Sequence, residues 1–139
     1  MPYGYACEIQ LMNDEKKEKK KFRTPQEAAA AFGVGKITRH LFLCMGPDCA
    51  NPDEADKTWT YVKKRLKELN LTGENGPFYR TKCQCFRICT DGPICVVYPE
   101  GAWYRGVTPE NAERIIQQHL INGHIVEDLC FARNPLPRT

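Results

Sequence analysis

Four of the eight cysteines in this chain fall within thirteen positions, in the stretch Cys83-Gln84-Cys85-Phe86-Arg87-Ile88-Cys89-Thr90-Asp91-Gly92-Pro93-Ile94-Cys95. Upstream, Cys44-Met45-Gly46-Pro47-Asp48-Cys49 supplies a second pair. A fold that brings these two loops together makes a site for a thiolate-bound metal. The first questions are which compartment, which metal and which thiols.

An even cysteine count also suits a disulfide scaffold of a secreted domain. The opening Met1-Pro2-Tyr3-Gly4-Tyr5 lacks the basic start and apolar stretch of a signal peptide, so the expected location is the cytoplasm. In that reducing compartment, clustered cysteines point to metal or redox chemistry. No apolar run approaches the length of a membrane span. A net charge of +3 is too mild by itself to imply nucleic acid. A length of 139 residues suits one domain with a real core.

Read in order, residues 1–36 form a basic N-terminal extension. Tyr5 to Met12 alternates like a short strand, and Lys16 to Arg23 carries six positive charges and one negative. That run is either a solvated loop or an electrostatic dock for an acidic partner. Thr24 caps a short helix from Pro25, which Gly33 and Gly35 end. Residues 37–132 form the main domain. Ile37 to Leu43 is a strand, buried at Ile37, Leu41, Phe42 and Leu43, that delivers Cys44 at its end. Asn51 and Pro52 start a helix with Ala55, Trp59, Val62, Leu66 and Leu69 on one face. Phe78 to Lys82, Ile94 to Tyr98 and Ala102 to Val107 are strands, the last two joined by the turn Pro99-Glu100-Gly101. Thr108 and Pro109 open a second long helix striped by Ala112, Ile115, Ile116, His119 and Leu120, which Asn122-Gly123 stops. Ile125 to Ala132 adds an extended segment, and residues 133–139 form a flexible tail.

This order predicts an α/β fold with a central mixed sheet of about four strands and two main flanking helices. Its first two strands run parallel through a crossover helix. Both cysteine loops then sit at strand C-terminal ends, on one edge of the sheet. Three chemistries compete there. Structural zinc favours C-x2-C knuckles, and a thioredoxin-type dithiol needs C-x-x-C; neither spacing occurs. An iron–sulfur cluster takes four thiolates on wider loops, with backbone amides turned to sulfur. The C-x4-C and C-x3-C loops, with Gly46 and Gly92 beside them, favour that reading.

The C-x4-C pair, the C-x3-C-x2-Gly-Pro loop and the run Val96-Val97-Tyr98-Pro99-Glu100-Gly101-Ala102-Trp103-Tyr104 resemble the thioredoxin-like [2Fe–2S] ferredoxins, relatives of the small [2Fe–2S] subunit of respiratory complex I. The resemblance covers Thr38 to about Leu129. It implies a thioredoxin-like fold, a single [2Fe–2S] cluster and one-electron transfer to or from partner oxidoreductases. It assigns the ligands as Cys44 and Cys49, then Cys85 and Cys89, and implies a homodimer. The N-terminal extension lies outside the pattern. The Cys44 to Cys49 gap is similar to the complex I subunit, whereas Tyr98 to Tyr104 is closer to the free ferredoxins.

The expected function is therefore electron transfer, with no enzyme activity, membrane or nucleic-acid partner. Two rivals stand beside it: a zinc-stabilised protein-binding module with structural thiolates, and a thiol redox enzyme using Cys83 and Cys85. Cys83 and Cys95 are either alternative ligands or, as strand alternation suggests, parts of the strands flanking the loop; Cys7 and Cys130 are ordinary small apolar residues. Arg87 either stabilises the negative cluster or is a solvated loop charge. His40, His119 and His124 are dispersed and not assigned as ligands. Of Trp103 and Tyr104, one packs in the core and the other is open to a dimer contact.

Overall fold

The computed structural model describes residues 21–46 and 51–137. Cys7, Cys49, the Tyr5 to Met12 strand and most of the Lys16 to Arg23 run lie outside the described residues.

The topology is fixed by a crossover whose start is encoded locally. The Asn51 side chain accepts a hydrogen bond from Asp53 N at 2.8 Å, and Pro52 takes the first helical position. The resulting helix, Pro52–Glu68, connects the strand Arg39–Cys44 (β1) to the strand Phe78–Cys83 (β2). β1 and β2 pair in parallel with Arg39 opposite Phe78 and Cys44 opposite Cys83. Cys95–Tyr98 (β3) pairs antiparallel on the other side of β1, and Ala102–Tyr104 (β4) pairs antiparallel with β3.

Numbered in chain order, the helices are α1 (Pro25–Ala31), α2 (Pro52–Glu68) and α3 (Pro109–Arg114). Thr24 caps α1 by accepting from Glu27 N, and Thr108 caps α3 by accepting from Asn111 N. α3 continues directly into a wide-turn π-helical segment, Ile115–Ile121, that ends at Asn122. The expected apolar stripe Ala112, Ile115, Ile116, His119 and Leu120 is buried throughout. Ala55, Trp59, Val62 and Leu66 of α2 are buried as well, whereas Leu69 is half-buried. α1 contributes no buried residue, so it stands outside the core.

Among the described residues the sheet has five strands in the order β2-β1-β3-β4-β5, against about four predicted. The fifth, β5 (Cys130–Arg133), pairs antiparallel with β4 across an irregularity at Trp103 and Tyr104. It corrects the expected tail: the boundary placed at 132 falls inside β5. Beyond it, Asn134 N donates to Gly101 O and Leu136 N to Pro99 O, so the chain is tied to the β3–β4 turn as far as Leu136. β1 begins at Arg39, two residues later than predicted. Ile37, ahead of the strand, is half-buried, and so is Phe42, which lies on the opposite face of β1 from the core residues Leu41 and Leu43. β4 ends at Tyr104 and does not reach Val107, because Arg105 to Val107 turn to bond Leu129, Asp91 and Pro93.

Two buried polar contacts close this core. Thr58 donates to Val107 O at 2.7 Å. Tyr104, fully buried, has its hydroxyl 2.7 Å from His119 Nδ1 and accepts from Val126 N. His119 Nε2 lies 3.0 Å from Glu100, whose carboxylate also takes both Arg39 Nε and Nη2. Among the described residues, no helix is long and apolar enough to cross a membrane.

Candidate metal centre

Parallel pairing brings the ends of β1 and β2 side by side, and with them the two cysteine loops. Cys44, the last residue of β1, sits opposite Cys83, the last of β2. Met45 N then donates to Cys83 O at 2.8 Å, while Cys44 N donates to Ile94 O at 2.9 Å. Cys44 is thereby held between the entry and the exit of the 84–93 loop. It is fully buried in a small apolar cluster with Ile94, flanked by Cys83, Phe86 and Trp103. Phe86 and Trp103 meet edge to face at 5.0 Å, and both pack against that cluster.

The next residue but one explains how closely the loops approach. A Cβ on Gly46 would lie 2.2 Å from Gln84 O, so only glycine fits. The Cys44 thiol itself points toward that carbonyl, with Sγ 3.7 Å from Gln84 O. The reason for glycine at 46 is therefore steric.

The loop after β2 is built from unusual backbone. Arg87, Cys89 and Asp91 all adopt positive φ, at 69°, 54° and 55°, without being glycine. Such conformations cost on the order of 1 kcal/mol each and persist where the surroundings over-determine them. The surroundings here include Gly106 N donating to Asp91 O and Val107 N to Pro93 O, which pin the far end of the loop. The bend turns Arg87 N onto the Cys85 sulfur at 3.1 Å. It also brings Cys85 Sγ and Cys89 Sγ to 3.9 Å, both exposed.

That distance has a chemical meaning. Two thiolates on one tetrahedral metal, with metal–sulfur bonds of about 2.3 Å, stand about 3.8 Å apart. The Cys85–Cys89 pair matches that spacing, and it is far too long for the about 2.05 Å of a disulfide. Cys83 differs from this pair. Half-buried, with Sγ 3.6 Å from Leu43 O, its thiol is pushed up to about 11 by burial and then by the neighbouring Cys44 and Cys85. Burial also raises the Cys95 thiol, which is wholly enclosed in β3. Cys130 lies in β5, and Cys49 lies outside the described residues. Among the described residues no three histidine, cysteine, aspartate or glutamate side chains gather into a metal-binding group. Two of the histidines are engaged elsewhere: His40 stacks on Phe42 and meets Thr81, and His119 belongs to the Glu100 network.

Two features of the site lay beyond sequence reasoning. The Gln84 carbonyl is a backbone group with no signature, and the Phe86–Trp103 contact joins a residue of the 84–93 loop to one of β4. Trp103 is half-buried, while its neighbour Tyr104 is the core residue.

A five-stranded mixed sheet, helices after β1 and β4, and thiols at the ends of two parallel strands define a thioredoxin-like α/β protein with a thiolate site. No family model matches the chain. It is 53% identical over 94 residues to a 2Fe-2S ferredoxin of Clostridium pasteurianum, an alignment covering 65% of this chain and 92% of that one. It is 33% identical over 96 residues to a putative 2Fe-2S ferredoxin of Priestia megaterium, covering 69% and 72%. Its fold superposes on the thioredoxin-like [2Fe-2S] ferredoxin from Aquifex aeolicus with a TM-score of 0.61 at 26% identity, covering 74% of this chain and 98% of that structure. The chain belongs to the thioredoxin-like [2Fe–2S] ferredoxin family.

Proposed function

We propose that this protein is a one-electron carrier that holds a single [2Fe–2S] cluster on the thiolates of Cys44, Cys49, Cys85 and Cys89. The observation that carries this reading is the 3.9 Å separation of Cys85 and Cys89 on a loop packed against the end of β1. The chemistry of the donor set agrees: soft thiolates on two loops wide enough for an inorganic core. When bound, the cluster supplies reversible one-electron chemistry.

The chain's own groups prepare and tune the site. Arg87 N–H donates to the Cys85 sulfur, a contact that draws electron density from it. Phe86, Ile94 and Trp103 exclude water from the Cys44 side, while Cys85 and Cys89 face solvent. An electron therefore enters and leaves through the 85–89 loop. The protein is an electron carrier and not itself an enzyme.

Its partners are redox proteins of the cytoplasm. The basic run from Lys16 to Arg23 raises the encounter rate with acidic ones. Residues 1–36 are an appendage to the cluster domain, and two copies of that domain form a homodimer. The test is a set of cysteine-to-serine variants read by visible absorption and by electron paramagnetic resonance after one-electron reduction. Cys44→Ser, Cys85→Ser and Cys89→Ser each alter or abolish the signals, and Cys83→Ser leaves them nearly unchanged. A wild-type spectrum in Cys85→Ser with loss in Cys83→Ser reverses that assignment. A colourless wild-type chain holding stoichiometric zinc makes it a zinc-stabilised binding module.

A further inference from the structure

The same loop contains a second chemistry that electron transfer does not use. Cys85 and Cys89 are both exposed and their sulfurs need close by only about 1.9 Å to reach disulfide length. Arg87 N–H donates to the Cys85 sulfur from 3.1 Å, which fixes that side chain beside Cys89. The other thiols of the 83–95 stretch are shielded: Cys83 is half-buried and Cys95 wholly enclosed.

We propose that, in the chain before cluster loading, Cys85 and Cys89 form a reversible dithiol pair. A low-molecular-weight disulfide oxidises this pair selectively, and the product cannot accept a cluster until reduced. The proposal rests on the assignment of both thiols to the cluster site, which makes their oxidation a block to loading.

The step balances with a glutathione-type oxidant. The Cys85 thiolate attacks one sulfur of oxidised glutathione, cleaving its S–S bond and releasing one glutathione thiolate. Cys89, giving up its proton, then attacks the Cys85 sulfur of the mixed disulfide and displaces the second glutathione. One protein S–S bond forms and one oxidant S–S bond breaks. The protein loses two electrons and two protons, and two glutathione thiols carry them. A dithiol reductant reverses the sequence.

The experiment uses the full chain, stripped of metal by an anaerobic chelator, exposed to oxidised glutathione and quenched with an alkylating agent. Alkylation completed in denaturant should add six groups per chain, two fewer than the eight that the fully reduced chain accepts. Trypsin cleaves after Arg87, so the product appears as the peptides Cys83–Arg87 and Ile88–Arg105 joined by a disulfide. Fragmentation should place the link at Cys89 and not at Cys95. The Cys83→Ser chain should give the same linked pair, whereas Cys89→Ser should stop at a glutathione adduct on Cys85. Loading with iron and sulfide should fail in the oxidised chain and return after dithiothreitol. No thiol loss, or a link through Cys83, Cys44 or Cys95, overturns the proposal. If the pair forms but Cys85→Ser and Cys89→Ser keep a wild-type cluster spectrum, the ligand assignment fails and the claimed block to loading goes with it. If the pair does not form while those variants lose the spectrum, only the dithiol proposal fails.

Discussion

Replacing Gly46 with alanine tests whether the two cysteine loops are held together by a close backbone approach. The added Cβ would lie 2.2 Å from Gln84 O and 3.6 Å from the Cys85 Cβ. An ordinary contact begins near 3.4 Å, so the β1 end and the 84–85 segment must part by about 1 Å. Neither side yields easily. Met45 N is bonded to Cys83 O on one flank and Cys44 N to Ile94 O on the other. Forcing one extra methyl group into such a packed place costs about 1–3 kcal/mol. The displacement also moves Cys44, which the geometry places against the Gln84 carbonyl, away from the Cys85–Cys89 pair. Urea unfolding of the metal-free chain should therefore give a lower midpoint with an unchanged slope, and the loaded protein should bleach faster in the presence of a chelator. Equal stability together with equal cluster retention in Gly46→Ala would falsify the reasoning, because it would mean the loops are not in contact there.

Other outcomes follow from the core and the termini. Burial pulls the Glu100 carboxyl upward, but hydrogen bonds from Arg39 and His119 outweigh it and hold the group down at about 2. Because the folded value is depressed, this contribution is present above the unfolded value and is lost as pH falls through that window toward 2; it is on the order of 3 kcal/mol. Glu100→Gln should remove it, so that the difference in unfolding free energy between the variant and wild type shrinks between about pH 4.5 and pH 2. Tyr104→Phe leaves His119 Nδ1 and Val126 N without their buried partner and should cost about 1–3 kcal/mol by urea unfolding, with the visible spectrum unchanged. A chain beginning at Gly35 should keep the cluster and lose the salt dependence of its electron-transfer rate; cluster loss on truncation would instead make residues 1–36 part of the fold.

The parts legible in the sequence were those specified by local chemistry. Asn51-Pro52 and Thr108-Pro109 mark helix starts because cap and proline act within one turn of chain. The stripe from Ala112 to Leu120 marks one helix face, and it does so whether the turns are α or π, which is why the wide turn at Ile115–Ile121 escaped notice. Parallel pairing of β1 and β2 followed from the length of the crossover, and with it the meeting of the cysteine loops. β5 was only half visible. Phe131, Ala132 and Arg133 are exposed, so the strand is held by backbone bonds and carries no apolar alternation to read. The tail beyond it likewise binds through Asn134 N and Leu136 N, donors every residue type but proline possesses. At the site, strand periodicity could not choose between Cys83 and Cys85, which would share a face if β2 ran on, and the C-x3-C spacing counted back from Cys89 chose Cys85. The positive φ angles of Arg87, Cys89 and Asp91 break that alternation, and nothing in those side chains announces it.

The central claim, a binuclear iron–sulfur centre on four thiolates, is tested most directly by metal and sulfide analysis of protein purified anaerobically from iron-replete cells. The protein should be reddish brown and carry about two iron and two acid-labile sulfide per chain. Stoichiometric zinc without iron or sulfide would contradict it.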